Sequence, residues 1–161
     1  MVNHPIKPVY NENSKILILG SFPSVKSREE GFFYGHPQNR FWKVLSEVLH
    51  KDCPYDVNSK QAFLLNARIA VWDVIASCDI IGSSDSSIKN AIPNNLNLIL
   101  ENAEIKQIYV NGKTAEKFYN KYILNTLNRP AICLPSTSPA NAMWTKEKLI
   151  EKWSVIKEYL Q

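Results

Sequence analysis

Four short apolar runs constrain the fold of this chain more than any other feature. They are residues 15–20, 69–73, 105–111 and 131–134. Each run is rich in branched apolar side chains and ends at Gly, Asp, Asn or Pro. This pattern is typical of strands that are buried on both faces of a parallel sheet.

Helical patterns separate and follow these runs. Phe41 and Leu45 share one face of a predicted helix over about 40–50, and a second helix is predicted after Asn111–Gly112. The last helix is predicted from the spacing of Leu149, Trp153, Ile156 and Leu160, and shorter helices are expected over 60–67 and 95–102. Alternating strands and helices predict an α/β fold, a three-layer sandwich with a central, mostly parallel four-stranded sheet.

Length and composition limit the class of protein. The 161 residues are 45% hydrophobic and 21% charged, which predicts one globular domain over 1–161. No apolar run approaches the roughly 18 residues of a membrane span, and the first residues lack the apolar core of a signal peptide. We therefore expect a cytoplasmic, intracellular protein without a membrane partner, and a monomer because no apolar heptad pattern is present.

Cysteine and charge narrow the class further. The three cysteines, Cys53, Cys78 and Cys133, form no CxxC pair and are too few for a typical iron–sulfur cluster. No spacing supports a zinc site, so we expect no metal and no other cofactor. The formal net charge of +4 permits a polyanionic partner without requiring one.

Small and hydroxyl residues follow all four predicted strands. The segments concerned are 20–24, 73–79, 111–113 and 134–141. Ligands of parallel α/β folds bind at the carboxyl ends of the strands. Loops of this composition can approach a phosphate backbone closely through main-chain N–H groups and hydroxyls.

A second local feature is the segment GFFYGHPQNRFW at 31–42, where aromatic residues surround glycines, one histidine and one asparagine. With this segment, a resemblance to the uracil-DNA glycosylase superfamily becomes visible. The residues that carry it are Gly20-Ser-Phe-Pro-Ser24, His36-Pro-Gln-Asn-Arg-Phe-Trp42, Val110-Asn-Gly112 with Ala115, and Pro135-Ser136 with Ser138. They cover most of the chain in the family's order.

The variant of these motifs is more specific. GSFPS, HPQNRFW, WDVIASC and LPSTSPAN together resemble the hypoxanthine-DNA glycosylase (deoxyinosine glycosylase) branch, which is related to the mismatch-specific uracil/thymine-DNA glycosylases. The resemblance implies a monofunctional DNA glycosylase of base excision repair. Such an enzyme binds damaged DNA, flips out a deaminated base, preferentially hypoxanthine, and removes it by hydrolysis.

One position departs from the better-known branches. The third residue of their first motif is Asp or Asn and positions the hydrolytic water, but here it is Phe22. The resemblance implies that Asn39 takes over much of this polar role as the catalytic residue, either by orienting water or by reading the base. Asn39 also stands just before a predicted helix, where Asn is among the best N-caps, so pure capping stays open.

The predicted base pocket joins the first motif to the aromatic cluster. Its members are Gly20, Ser21, Phe22, Pro23, Phe33 and Tyr34. Tyr34 is our candidate for stacking on a flipped base, with Phe33 as the alternative, and packing into the core remains open for both rings and for Phe22. We expect His36 to have a structural role.

The predicted DNA contacts lie on the loop after the fourth strand. Its candidates for phosphate contacts and for a wedge in the duplex are Ser136, Thr137, Ser138, Asn141, Ala142 and Met143. Lys113 is expected to reach a phosphate from a helix start. Asp73 and Asp85 are expected to shape the loop after the second strand, Asp85 by capping a helix over 87–90, and Asn66 is expected to end a helix.

Three other functions compete with this interpretation. The first is a glycosylase that prefers uracil or mismatched bases, against which Phe22 argues. The second is a non-catalytic module that binds damaged DNA or nucleotides. The third is an unrelated hydrolase that uses Ser24 or Ser136 as nucleophile, with His36 as its base.

Overall fold

A computed structural model of the chain describes residues 1–161. Its strands are β1 (Val2–Asn3), β2 (Ile16–Gly20), β3 (Ile69–Asp73), β4 (Ile75–Asp79), β5 (Lys89–Pro93), β6 (Gln107–Asn111) and β7 (Ile132–Leu134). Its helices are α1 (Val25–Glu30), α2 (Phe41–Leu49), α3 (Val57–Asn66), α4 (Asn97–Leu100), α5 (Lys113–Tyr122), α6 (Leu124–Leu127) and α7 (Lys146–Trp153).

The four predicted strands form the central sheet, in the order β3-β2-β6-β7 with every pair parallel. Every residue of β2 and β3 is buried, as expected for strands that are covered on both faces. The predicted α/β fold with a four-stranded parallel sheet flanked by helices is therefore confirmed. The third strand begins at Gln107, two residues later than the apolar run suggested.

The helices differ from the predicted ones mainly at their ends. The predictions over 40–50, after Gly112 and near the C-terminus correspond to α2, α5 and α7. Helix α3 begins earlier than expected because Asp56 caps it by accepting a hydrogen bond from the Ser59 amide (2.7 Å). It ends at Asn66, as predicted. Helix α1 was not predicted because its exposed sequence carries no apolar period.

A second, antiparallel sheet of order β1-β4-β5 was missed, and two predictions are wrong here. The segment 73–79, interpreted as a loop, contains β4, and the helix expected over 87–90 is the start of β5 after a 3₁₀ turn at Asp85–Ser87. Short strands of this kind become visible only through their partners, and β4 pairs with β1 from the far end of the chain.

The second sheet brings the N-terminal segment and the end of β3 next to the end of β2. The amides of Val74 and Ile75 donate to the carbonyls of Gly20 (2.8 Å) and Ser21 (3.1 Å), so the chain bends directly after Asp73. The His4 amide donates to the Ala76 carbonyl (2.8 Å) and keeps the N-terminal segment alongside β4. Residues 4, 20 and 73 therefore meet at one point.

No helix in the structure has the length and apolar character needed to cross a membrane. The structure also contains no group of three or more His, Cys, Asp or Glu side chains arranged to hold a metal ion.

Candidate active site

A pocket of about 300 Å³ opens at the carboxyl ends of β2, β3 and β6. This is the edge where ligands of parallel α/β folds bind, and the volume lies within the range of small-ligand sites. All six residues predicted for the base pocket line it, namely Gly20, Ser21, Phe22, Pro23, Phe33 and Tyr34. Asn39, His36, Asp73, Asp85 and Asn111 complete much of the remaining wall.

Asn39 is held by two hydrogen bonds to one atom. Its Oδ1 accepts from the Phe41 amide (2.9 Å) and from the Thr137 hydroxyl (2.9 Å). The Thr137 hydroxyl in turn accepts from the Asn111 side-chain amide (3.0 Å). Both lone pairs of Oδ1 are therefore occupied, and the two N–H donors of Asn39 remain for the pocket. The side chain assists the start of α2 and still presents a donor.

Arg40, the next residue, fastens the loop after β7. Its guanidinium donates to the carbonyls of Ser138 (2.9 Å), Asn141 (3.1 Å) and Trp144, and its own amide donates to the Thr137 carbonyl (3.0 Å). A planar guanidinium can serve several carbonyls at once, which a lysine cannot do. The HPQNR segment thus supplies both a pocket donor and the anchor of the opposite wall.

The residues predicted to contact DNA occupy different places. Ser136 and Ser138 line the pocket, whereas Thr137 is only 1% exposed and its hydroxyl is engaged by Asn39 and Asn111. The predicted phosphate contact of Thr137 is therefore corrected to an internal bridge. Met143 is 91% exposed.

The remaining predicted contacts lie beyond the pocket. Ala142, the neighbour of Met143, is also exposed, and the Asn141 amide donates to the Ser136 carbonyl (3.0 Å). Lys113 is exposed at the start of α5 and lines a second cavity of about 680 Å³ next to the pocket. Asn141, Ala142 and Lys113 therefore do not line the pocket itself.

The floor of the pocket carries a buried acid that sequence analysis did not select. Asp73 is 3% exposed and is the only charged residue among the buried ones. The His4 Nε2 donates to its Oδ2 (2.7 Å), while His4 Nδ1 accepts from the Ile6 amide (3.2 Å). This arrangement fits a neutral imidazole with its proton on Nε2, so the imidazole holds one carboxylate oxygen and leaves Oδ1 for the pocket.

Tyr34 reaches the same floor from the other side. Its ring stacks on Phe41 (centroids 3.9 Å apart), which leaves one face and the hydroxyl for other contacts. The buried hydroxyl has no hydrogen-bond partner. Burial, followed by the Asp73 charge, raises the pKa of Tyr34 far above its usual range, although the nearby Asn111 amide acts in the opposite direction. Tyr34 is therefore a neutral O–H donor at ordinary pH.

Gly20 allows the two polar groups of the floor to converge. A Cβ at this position would overlap Asp73 Oδ1 and would lie 3.0 Å from the Tyr34 hydroxyl. The glycine is thus required by close approach and not by its own backbone angles. Phe22 lies beside them with its ring centroid 5.8 Å from that of His4, so it lines the pocket and packs into the core at once.

Asp85 stands at the outer rim. Its Oδ1 accepts from the Ser21 hydroxyl (3.2 Å). The residue is exposed, yet its carboxyl faces the pocket wall, and partial burial there raises its pKa, with the Asp73 charge adding to this effect. Besides Asp73 on the floor, the pocket therefore has a carboxyl at its rim, Asp85, which takes up a proton more readily than usual.

The serine-hydrolase alternative has no support in this geometry. The Ser24 hydroxyl caps α1 by accepting from the Ser27 amide (3.1 Å), and the Ser136 hydroxyl accepts from the Ser138 amide (3.1 Å). The Nδ1 of His36 accepts from the Gln38 amide (3.1 Å), in keeping with its expected structural role. Neither serine is activated by a histidine.

The pocket combines features that suit cleavage of a bond to a leaving group that becomes negative. It has neutral N–H and O–H donors, a carboxylate on the floor, aromatic walls and no activated nucleophile. Four contributors to the site were not predicted from the sequence, namely His4, Arg40, Asp73 and Asn111. Arg40, Asp73 and Asn111 lie within quoted motifs and could have been found there, whereas the pairing of His4 with Asp73 has no local signal.

Comparison with known proteins agrees with this geometry. Residues 7–160 match the model of the uracil DNA glycosylase superfamily. Two relatives are called hypoxanthine DNA glycosylase. The one from Methanosarcina barkeri is 31% identical over 143 residues, 88% of this chain and 89% of its own length. The one from Methanosarcina acetivorans is 31% identical over 160 residues, 97% and 98% of the two lengths.

A solved structure is also similar. It is the solution NMR structure of a proposed uracil DNA glycosylase from Methanosarcina acetivorans, with a TM-score of 0.82 and 30% sequence identity. The match covers 99% of both chains. The similarity therefore extends over nearly the whole chain.

Proposed function

Because this chain belongs to the uracil DNA glycosylase superfamily and is a DNA glycosylase, we propose that it removes deaminated bases from DNA, with hypoxanthine preferred. It acts as a single-domain monomer that flips the damaged base into the pocket and hydrolyses the glycosidic bond without a covalent intermediate. Both relatives named above are called hypoxanthine DNA glycosylase, which supports this preference.

The observation that carries the proposal is the state of Asn39. In hydrolysis of a glycosidic bond, the base leaves with negative charge, so a fixed N–H donor beside it stabilises the transition state more than the ground state. Asn39 has its oxygen committed to Phe41 and Thr137 and its amide protons free at the pocket wall. We therefore assign Asn39 to the leaving base and not to proton abstraction from water.

The outer surface suits a nucleic-acid backbone. Ser136 and Ser138 offer hydroxyls at the mouth of the pocket, and Lys113 adds an exposed positive charge beside the second cavity. Met143, with Ala142 next to it, stands out from the loop and is a suitable side chain to fill the space that a flipped nucleotide leaves.

The test is excision from duplex oligonucleotides that each carry one hypoxanthine, uracil, xanthine or adenine, followed by alkaline cleavage of abasic sites. We expect strand breaks at hypoxanthine, slower breaks at the other deaminated bases and none at adenine. Uracil removed faster than hypoxanthine would contradict the preference but leave the glycosylase activity standing.

The same reactions test the mechanism. Borohydride reduction during turnover should trap no protein–DNA adduct, because no amine nucleophile participates. A trapped adduct would rule out direct hydrolysis. Analytical ultracentrifugation of the protein, with and without DNA, measures its oligomeric state, and we expect a monomer.

A further inference from the structure

We propose that Asp73 and Tyr34 together read the edge that deamination creates on a base, and that His4 positions Asp73 for this purpose. The inference rests on the proposed function and goes further by naming the atoms that are recognised. It starts from two polar groups on the pocket floor to which the assignment of Asn39 to the leaving base gives no specific role.

The first group is the free oxygen of Asp73. Its Oδ2 is taken by His4, and Oδ1 faces Gly20 at the floor, where the absent Cβ leaves it uncovered. A carboxylate oxygen accepts hydrogen bonds and cannot donate them. A ligand that meets this oxygen must therefore present a donor.

The second group is the Tyr34 hydroxyl, which is buried and has no partner. An unpartnered buried donor is costly, and its persistence in a pocket wall points to a ligand acceptor that completes it. This hydroxyl and Asp73 Oδ1 converge on the same side of Gly20. The floor thus offers an acceptor and a donor side by side.

Deamination produces the complementary pair. It replaces an exocyclic amine by a carbonyl, and the neighbouring ring nitrogen changes from an acceptor into an N–H donor. Hypoxanthine then presents N1–H beside O6, and uracil presents N3–H beside O4. The N–H donates to Asp73 and the carbonyl accepts from Tyr34, whereas adenine presents these functions in the reverse order. One pair of side chains therefore recognises the chemical class of deaminated bases.

His4 makes this recognition directional. Its Nε2–H must have an acceptor, so in Asp73→Asn the amide oxygen turns toward His4 and the NH₂ group faces the pocket. The substitution changes an acceptor into a donor with almost no change in shape. The lactam N–H of the base then meets another N–H.

The experiment measures single-turnover excision of hypoxanthine and of 1-deazahypoxanthine, which carries C–H in place of N1–H and keeps the 6-oxo group as the tautomer that is protonated at N3. We expect Asp73→Asn to slow hypoxanthine removal by about 100-fold and removal of the analogue by less than about 3-fold. Tyr34→Phe keeps the ring and should slow hypoxanthine removal by about 10-fold. Asp52→Asn, at an exposed position, is the matched control and should change neither rate.

A positioning role for His4 predicts a different pattern. His4→Gln, which retains a donor, should keep most of the discrimination between hypoxanthine and its deaza analogue, and His4→Phe should lose it. If His4→Phe instead lowered the single-turnover rate by the same factor on both substrates, His4 would have only a structural role.

The outcomes separate the two proposals. Asp73→Asn slowing both substrates by the same factor, with wild-type excision intact, overturns edge reading and leaves the proposed function. Wild-type protein that releases uracil but not hypoxanthine rejects the preference, and edge reading then predicts that Asp73→Asn, but not Asp52→Asn, slows uracil removal by about 100-fold. Wild-type protein that releases no deaminated base overturns both.

Discussion

The rim and the floor of the pocket are built in opposite ways. On the side of the rim formed by Asn39, Arg40 and the loop 135–145, carbonyl and side-chain oxygens accept hydrogen bonds from the Arg40 guanidinium, the Thr137 hydroxyl and the Phe41 amide. The floor, formed by His4, Tyr34 and Asp73, holds one buried charge with a single partner and one hydroxyl with none. On this side of the rim the oxygen acceptors are already bonded within the protein and the N–H donors of Asn39 remain free, whereas on the floor the Tyr34 hydroxyl and Asp73 Oδ1 both lack a partner within the protein.

This difference separates the expected effects of mutation. Changes in the rim should alter the rate of bond cleavage and the fit to DNA, since its donors and its loop face the substrate. Changes in the floor should alter which base is accepted and, where the charge loses its partner, the stability of the fold.

The largest effect is expected at Asn39. Asn39→Ala should lower the single-turnover rate on hypoxanthine by about 100- to 1,000-fold, the usual cost of losing one donor to a developing negative charge. The stability should fall by about 1 kcal/mol, since the helix start and Thr137 lose their acceptor.

Asn39→Asp sharpens this result. The carboxylate still accepts from the Phe41 amide and the Thr137 hydroxyl, but it has no N–H for the base. We expect near-normal stability and a loss of rate similar to that of Asn39→Ala. An active Asn39→Asp enzyme would assign Asn39 to water instead of to the leaving base.

The next effect concerns the floor. His4→Ala leaves the Asp73 carboxylate buried without its donor and should lower the free energy of unfolding by about 2–3 kcal/mol, measured by urea denaturation. Asp73→Asn keeps the bond from His4 and should be much closer to wild type in stability. If both variants lowered the free energy of unfolding equally, the hydrogen bond from His4 alone would not account for the stability, and the charge of Asp73 would be required as well.

Most of the rim could be predicted from the sequence, although the anchoring role of Arg40 was missed, whereas on the floor only Tyr34 was predicted. His36–Trp42 and Pro135–Asn141 are contiguous segments, and their residues carry recognisable signals for a turn, a helix start and a strand-end loop. The floor joins residues 4, 34 and 73, which approach one another only because β1 pairs with β4 and the chain bends after β3. Neither strand has a strong local pattern, since β1 is two residues long and β4 buries the adjacent Ser77 and Cys78 and so does not alternate.

The same reasoning explains which predictions from individual residues failed. Thr137 has a hydroxyl that could bind a phosphate, but the residue is buried and its hydroxyl is bonded to two side chains. Asp73 was interpreted as part of a loop because its own neighbours do not show the imidazole that pairs with it. The central sheet was predictable because its apolar runs report burial directly.

A smaller effect is expected at Arg40. Arg40→Lys keeps the charge but cannot reach three carbonyls of the loop at once, so the loop 135–145 should loosen. We expect about a 10-fold fall in kcat/KM on duplex substrate and faster hydrogen exchange of the amides at 136–145. Arg68→Lys, at an exposed arginine without side-chain hydrogen bonds, is the control. Unchanged exchange in Arg40→Lys would mean that the loop is held by its own turns.

The smallest effect is expected at the tip of the rim. Met143 is 91% exposed and packs against nothing that would explain an apolar side chain there, so Met143→Ala should leave the stability unchanged. If the side chain fills the space of the flipped nucleotide, excision from duplex DNA should fall by about 3- to 10-fold and excision from single strands should not change, because only the duplex requires unstacking. Leu98→Ala, on α4 away from the pocket loops, should affect neither substrate. Equal loss on both substrates would place Met143 against the base or its sugar, and the division between a rim that governs the rate and the fit to DNA and a floor that selects the base would then not hold at this loop.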